Sequence, residues 1–139
     1  MLQVIGGGDT MTIWNATPHS IRIMPASAVT FDASIRKWVA EADTAPVAVI
    51  ESTGMLSAKI DSVDAEPISN IPVFDKNVTG CDPLPSDMSA EDIIIVSALY
   101  ATAYKRTYGD DARLYTIADP VYTSDGRTIL GSRGICPAF

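Results

Sequence analysis

Tyrosines and arginines crowd the last third of this 139-residue chain. All five tyrosines (Tyr100, Tyr104, Tyr108, Tyr115, Tyr122) fall between residues 100 and 122, and Arg106, Arg113, Arg127 and Arg133 lie in or just beyond that window. An arginine fork matches phosphate oxygens two at a time, and a tyrosine face accepts a nucleobase by stacking. The chemistry this pattern suits is capture of an anionic, aromatic ligand.

The members differ in what their surroundings permit. Tyr100, Tyr104 and Tyr108 recur every four residues and form one slowly drifting stripe on a helix. Such stripes are usually core, which is the expectation for Tyr100 and Tyr104. Tyr108 lies at the helix end beside the polar loop Gly109-Asp-Asp-Ala-Arg113, where its ring could stack on a ligand or simply lie in solvent. Arg133 sits between glycines in Gly131-Ser-Arg-Gly134, which fits a close backbone approach to an anion or an uncrowded edge strand. Arg127 follows a turn and is expected to be solvated. Arg22 lies on an early strand, and periodicity does not fix its face. The candidate ligand-binding set is Arg106, Tyr108, Arg113, Tyr115 and Arg133, with Arg22.

Catalytic chemistry finds little support. His19 is the only histidine and is expected to be bonded within the Thr17-Pro-His19 turn. No HExxH, GxSxG, P-loop, GxGxxG or paired-cysteine metal motif occurs, so neither a metal nor a cofactor is expected. Asp110-Asp111 suits a solvated turn better than a cation site. Cys81 and Cys136 are expected to be reduced thiols.

The positioning elements are mostly strands. Residues 12–15, 21–24, 48–50, 57–61 and 71–74 read as strands, and 29–42 as a hairpin around Ala33-Ser34 in preference to a short helix. Residues 79–87 form a polar, proline-containing connection. Asp92-Ile-Ile-Ile-Val96 is an apolar strand of the buried type. It leads through Ser97, an N-cap residue, into a helix over 98–108 that Gly109 ends. Residues 114–122 and 128–135 flank Ser124-Asp125-Gly126-Arg127, a hairpin signal that Asp119-Pro120 interrupts. The fold class expected is α+β: a twisted, mostly antiparallel sheet with one main helix packed on it and a C-terminal hairpin. Residues 1–10, with Gly6-Gly7-Gly8, read as a flexible extension before a single domain over 11–139.

Bulk composition limits the partners. The chain is 47% hydrophobic and 19% charged, which fits one folded domain with one core. Its formal charge of −7 disfavours DNA, RNA and anionic membrane. Residues 1–104 carry five Lys/Arg against thirteen Asp/Glu, or −8, while residues 105–139 carry five against four, or +1. An anion therefore approaches the C-terminal third with least repulsion. No window reaches the length of a membrane span.

At Asn15-Ala-Thr-Pro-His-Ser-Ile21 the chain resembles a family of small phage and prophage proteins that open with Asn-x-Thr-Pro-His-x-Ile/Val. The resemblance covers nearly the whole chain from Met11. It recurs at Asn70-Ile-Pro-Val73, at Ile93-Ile-Ile-Val-Ser-Ala-Leu99 and at Asp125-Gly-Arg-Thr-Ile-Leu-Gly-Ser-Arg-Gly-Ile135. This family is associated with the Thoeris anti-defence sponges, which sequester cyclic ADP-ribose-type signals without cleaving them. The resemblance implies a homodimer or higher homo-oligomer in the cytoplasm of an infected bacterium. It also implies a pocket built from a mobile loop over 106–114, with Tyr108 stacking and Arg133 binding phosphate. Some relatives also hold cyclic oligonucleotides at a separate site. The long segment 25–47 and the acidic pair Asp110-Asp111 depart from the family pattern. An inhibitor acting by protein–protein contact and a small nucleotide hydrolase are the alternatives.

Overall fold

The computed structural model describes residues 2–6 and 9–139, with side chains from Met11 onward. Gly7 and Gly8, part of the expected flexible lead, lie outside the described residues. The strands run Leu2–Gly6 (β1), Asp9–Asn15 (β2), Ile21–Ile23 (β3), Thr30–Asp32 (β4), Lys37–Ala40 (β5), Ala48–Ile50 (β6), Ala58–Ile68 (β7), Ile71–Cys81 (β8), Ile93–Ile95 (β9), Leu114–Ile117 (β10), Pro120–Thr123 (β11), Ile129–Ser132 (β12) and Ile135–Pro137 (β13). One helix, Ala98–Tyr108 (α1), follows β9. Strand-rich composition with a single helix is thus as expected from the sequence.

The strands do not form one sheet. A five-stranded sheet has the order β1-β2-β9-β10-β13, a six-stranded sheet the order β4-β5-β11-β12-β3-β6, and β7 and β8 stand apart as a two-stranded ribbon. Both larger sheets are mixed: β2–β9, β9–β10, β5–β11 and β3–β12 are parallel. Parallel neighbours come from distant parts of the chain, so local turn chemistry does not announce them. Leu2–Gly6, read as part of a flexible extension, pairs antiparallel with β2.

The long C-terminal arms explain the division. Each arm bends once, at Ala118-Asp119 and at Arg133-Gly134, sending β10 and β13 to one sheet and β11 and β12 to the other. The bends are tied together. Ala118 N–H donates to Gly134 O at 2.9 Å and Arg133 N–H to Asp119 O at 2.9 Å. The Ser132 hydroxyl lies 2.9 Å from Ala118 O and 2.8 Å from Gly134 O. Strands that switch sheets at such corners let two sheets share one core.

Alternation assigns the layers. In the five-stranded sheet Trp14, Ile94 and Leu114 face α1, where Tyr100, Ala101, Ala103 and Tyr104 close the cluster. Ile13, Ile95 and Tyr115 face the other way, onto Ile21, Ile23 and Ile50 of the six-stranded sheet. Ile94 and Ile95 are both fully buried, as a central strand with both faces covered requires. The helix begins where the Ser97 hydroxyl accepts Tyr100 N–H at 3.1 Å, and it ends at Gly109, whose φ of 91° suits glycine. No helix among the described residues is long and apolar enough to cross a membrane.

Candidate functional site

The segment Asn15-Ala-Thr-Pro-His19 is built around one buried amide. Asn15 has no exposed surface. Its Nδ2 donates to His19 O at 2.8 Å and to Ile50 O at 2.9 Å. Its Oδ1 accepts Thr17 N–H at 3.0 Å and lies 2.6 Å from the Thr17 hydroxyl. All four hydrogen-bonding positions of the amide are filled, so the turn has one conformation. Neighbouring chain locks it from outside: Thr53 N–H donates to Asn15 O at 2.9 Å and the Ser52 hydroxyl to Thr17 O at 2.6 Å.

This turn forms one wall of a cavity of about 430 Å³. Pro18, His19 and Arg22 stand on that side, while Ile117, Pro120, Ile129 and Gly131 form the other. Ile117 and Pro120 come from β10 and β11, whereas Arg22 lies on β3 and Ile129 and Gly131 on its parallel neighbour β12, two strands that pair in register only at Ile23 and Ser132. At Gly131 they nearly touch, since a Cβ there would sit 2.5 Å from Arg22 O and 2.9 Å from Met24 Sδ. Away from that contact they part, and the Arg22 side chain spans the gap, Nε donating to Leu130 O at 3.2 Å.

Two cationic or ionisable groups therefore meet a largely apolar cleft. The terminal amino groups of Arg22 have no partner among the described residues, and one nitrogen only of its fork is engaged there. The exposed His19 imidazole also lacks one; it is the His19 carbonyl, not the ring, that holds the turn. His19 is thus bonded within the turn as expected from the sequence, through its carbonyl and not through its ring. The nearby hydroxyls are engaged elsewhere, Ser20 with Glu51 at 2.7 Å and Ser132 with the corner carbonyls. Among the described residues no hydroxyl or carboxylate is hydrogen-bonded to the His19 ring, the Thr17 hydroxyl reaching only the His19 carbonyl.

The other residues expected at a site are dispersed. Arg133 stacks 3.6 Å above the Trp38 ring, pairs with Asp119 at 3.0 Å and borders a smaller cavity of about 240 Å³ with Met24 and Val29. Arg113 is clasped by Asp111 through Nε at 3.0 Å and a terminal nitrogen at 2.8 Å. That guanidinium bond, outweighing the effect of burial, holds the Asp111 carboxyl at about 2. The Tyr104 hydroxyl joins the same carboxylate at 3.2 Å, and burial pushes the Tyr104 phenol pKa up. These bonds lie within the segment 106–114, expected as a mobile loop. Tyr108 is half-exposed, its ring 4.9 Å from Tyr104. Arg106 is exposed at the helix end. Tyr115 turns into the core between the sheets, because its neighbour Leu114 takes the helix side. None of the cavities described brings two of the six expected residues together; the first contains Arg22 alone, joined by His19.

Sequence reasoning set His19 aside and left the facing of Arg22 open. The signal that could have paired them is their spacing, three residues apart across the end of a turn and the start of a strand. No group of three or more His, Cys, Asp or Glu among the described residues is placed to hold a metal ion. Comparison with protein families, with curated proteins and with solved structures finds no match to this chain.

Proposed function

We propose that the protein captures a phosphate-bearing nucleotide of the cyclic ADP-ribose type in the His19–Arg22 cleft and releases it unchanged, acting as a phage anti-defence sponge in the bacterial cytoplasm. One observation carries this reading: an arginine fork with its terminal nitrogens unpartnered among the described residues, beside an imidazole equally unbonded there, at the wall of a cavity of about 430 Å³. That volume suits a small nucleotide, within the roughly 300–1,000 Å³ of ligand sites. The apolar wall of Ile117, Pro120 and Ile129 would take the base, and Arg22 with His19 the phosphates, by charge-assisted bonds. Capture needs desolvation and fixed donors but no general base, and the free imidazole has no hydroxyl to activate. Arg113 and Arg133, each already paired with a carboxylate, are poorer anion partners than Arg22. The excess negative charge would turn away nucleic acid and leave the local cleft attractive.

Calorimetry with cyclic ADP-ribose isomers tests the proposal, followed by chromatography of the ligand recovered after heating the protein. Tight binding with intact recovery is expected. Arg22→Ala should weaken binding by about 1–3 kcal/mol, the scale of a charge-assisted bond. Tyr108→Ala and Arg133→Ala should leave it nearly unchanged. The opposite pattern would return the site to the C-terminal cluster, no heat with any isomer would defeat nucleotide capture, and recovery of a cleaved product would make the protein an enzyme.

A further inference from the structure

The β7–β8 ribbon is long and poorly covered. Its strands have eleven residues each and join through Ser69-Asn70, both at positive φ (47° and 64°), as in a two-residue hairpin turn. At the root, Ala58, Val78 and Cys81 reach the core under α1. Beyond them Val63, Ile68, Ile71 and Phe74 are each about half to two-thirds exposed, Phe74 at 56%. A lone two-stranded ribbon is marginal in water, so an outer half bearing this much apolar surface calls for a cover.

The register identifies which face is unfinished. Between Ile60↔Val78 and Ala65↔Val73 the pairing is unbroken, so Val78, Lys76 and Phe74 share a face with Ile60, Ser62 and Asp64. This is the face whose inner end, at Val78, meets the helix core; farther out nothing lies on it. Among the described residues no ion pair is formed by Lys76 or Asp64, although they flank Phe74. The opposite face carries Asp61 and Asp75 beside Val63 and Val73, with no basic residue between them.

We infer that the Phe74 face of the ribbon is the seat of a second copy of this chain, two ribbons packing face to face about a two-fold axis beside Phe74. The charge pattern favours this occupant. One Lys and one Asp flank the aromatic ring, so a two-fold arrangement sets Lys76 of each copy toward Asp64 of the other, an isologous and self-complementary contact. On the opposite face Asp61 and Asp75 both border Val63 and Lys59 sits only at the inner end, so a two-fold contact beside Val63 would set like charges together. Pro67 and Pro72 near the tip lack an N–H, which disfavours edge-to-edge extension of the ribbon and leaves its face as the route of contact. At about 3.3 Å per residue the ribbon is about 35 Å long and two strands wide.

Sedimentation equilibrium on the full chain tests this. The wild type should show twice the monomer mass of 14.8 kDa. Phe74→Asp, at an exposed position, should keep the wild-type circular dichroism and raise the dimer dissociation constant by at least about tenfold through a charge buried at the contact. Val63→Asp, on the other face, should leave the dimer intact. Asp64→Lys and Lys76→Asp should each weaken the dimer, and the double exchange should restore it. A monomeric wild type, or a Phe74→Asp dimer as tight as wild type, overturns the inference; failure of the double exchange to restore the dimer overturns the two-fold pairing of Lys76 with Asp64. None of these outcomes depends on whether a nucleotide binds at Arg22.

Discussion

Replacing Asn15 probes the turn that sets the cleft. In Asn15→Ala, Ile50 O and Thr17 N–H each lose a buried partner, whereas His19 O keeps the Thr17 hydroxyl at 3.1 Å. A buried polar group left unsatisfied costs about 1–3 kcal/mol, so two of them predict a loss of about 3–5 kcal/mol. That is a large part of the roughly 5–15 kcal/mol that holds a domain of this size. At about 3 °C per kcal/mol, the melting temperature should fall by roughly 12 °C. Asn15→Asp sharpens the test. The carboxylate keeps both acceptor bonds to Thr17 but sets a charge against His19 O and Ile50 O, which previously received N–H groups. Burial and carbonyl repulsion raise a carboxyl pKa. A group whose folded pKa is raised takes up a proton on folding, so this variant should regain stability as the pH falls through that pKa, opposite to the wild type. Urea unfolding at neutral and at acidic pH measures both effects. A loss below about 1 kcal/mol in Asn15→Ala, or an Asn15→Asp protein as stable as wild type at neutral pH, would refute the reasoning from these four bonds.

Two further predictions follow from buried contacts. Gly131→Ala drives a Cβ to within 2.5 Å of the Arg22 carbonyl, against backbone that cannot yield freely, and should destabilise the protein by about 1–3 kcal/mol in thermal unfolding. Acid stability should reflect Asp92, whose carboxylate accepts Thr12 N–H, Ser89 N–H and Trp14 Nε1–H. Burial alone would push its pKa up, yet these donors hold it down at about 2 against an ordinary 3.8. A depressed pKa contributes stability present above about pH 4 and lost as the pH falls toward 2, here about 2 kcal/mol. Asp92→Asn should remove part of that acid dependence, read as circular dichroism against pH.

What was legible in the sequence were features decided within a few residues. The unbroken apolar run 93–96, the capping Ser97 and the terminal Gly109 fix β9 and α1 where the chain itself places them. The pairing of 30–32 with 37–40 was legible for the same reason. The reach of the ribbon was not: Asp, Ser, Glu and Pro along 61–67 argue against a strand, and only the cross-strand ladder to 71–78 sustains one. The two-sheet division was equally hidden, because parallel pairing of β2 with β9 and of β5 with β11 joins segments some eighty residues apart. The tyrosine and arginine cluster disperses by the same route. Closeness along the chain put Arg113, Tyr115 and Arg133 together, but the alternation of β10 and the corner at 133–134 send their side chains to different layers.

The Asn-Ala-Thr-Pro-His segment gains meaning from this contrast. A segment acting by its own chemistry would place its reactive atoms at a ligand, yet Asn15 and Thr17 spend their side-chain polar atoms on the turn and on Ile50 O. What they leave over is the His19 ring, and one turn later the Arg22 fork, facing the open side of the cleft. The buried residues therefore position the turn, and under the proposed function the exposed ones would bind. Substitutions should separate along that line: Asn15→Ala should reduce stability and binding together, while Arg22→Ala should weaken binding with the melting temperature shifted by no more than the single bond to Leu130 O. If Arg22→Ala instead unfolds the protein as Asn15→Ala does, the arginine is a strut between β3 and β12, and the cleft beside it has no recognition chemistry of its own.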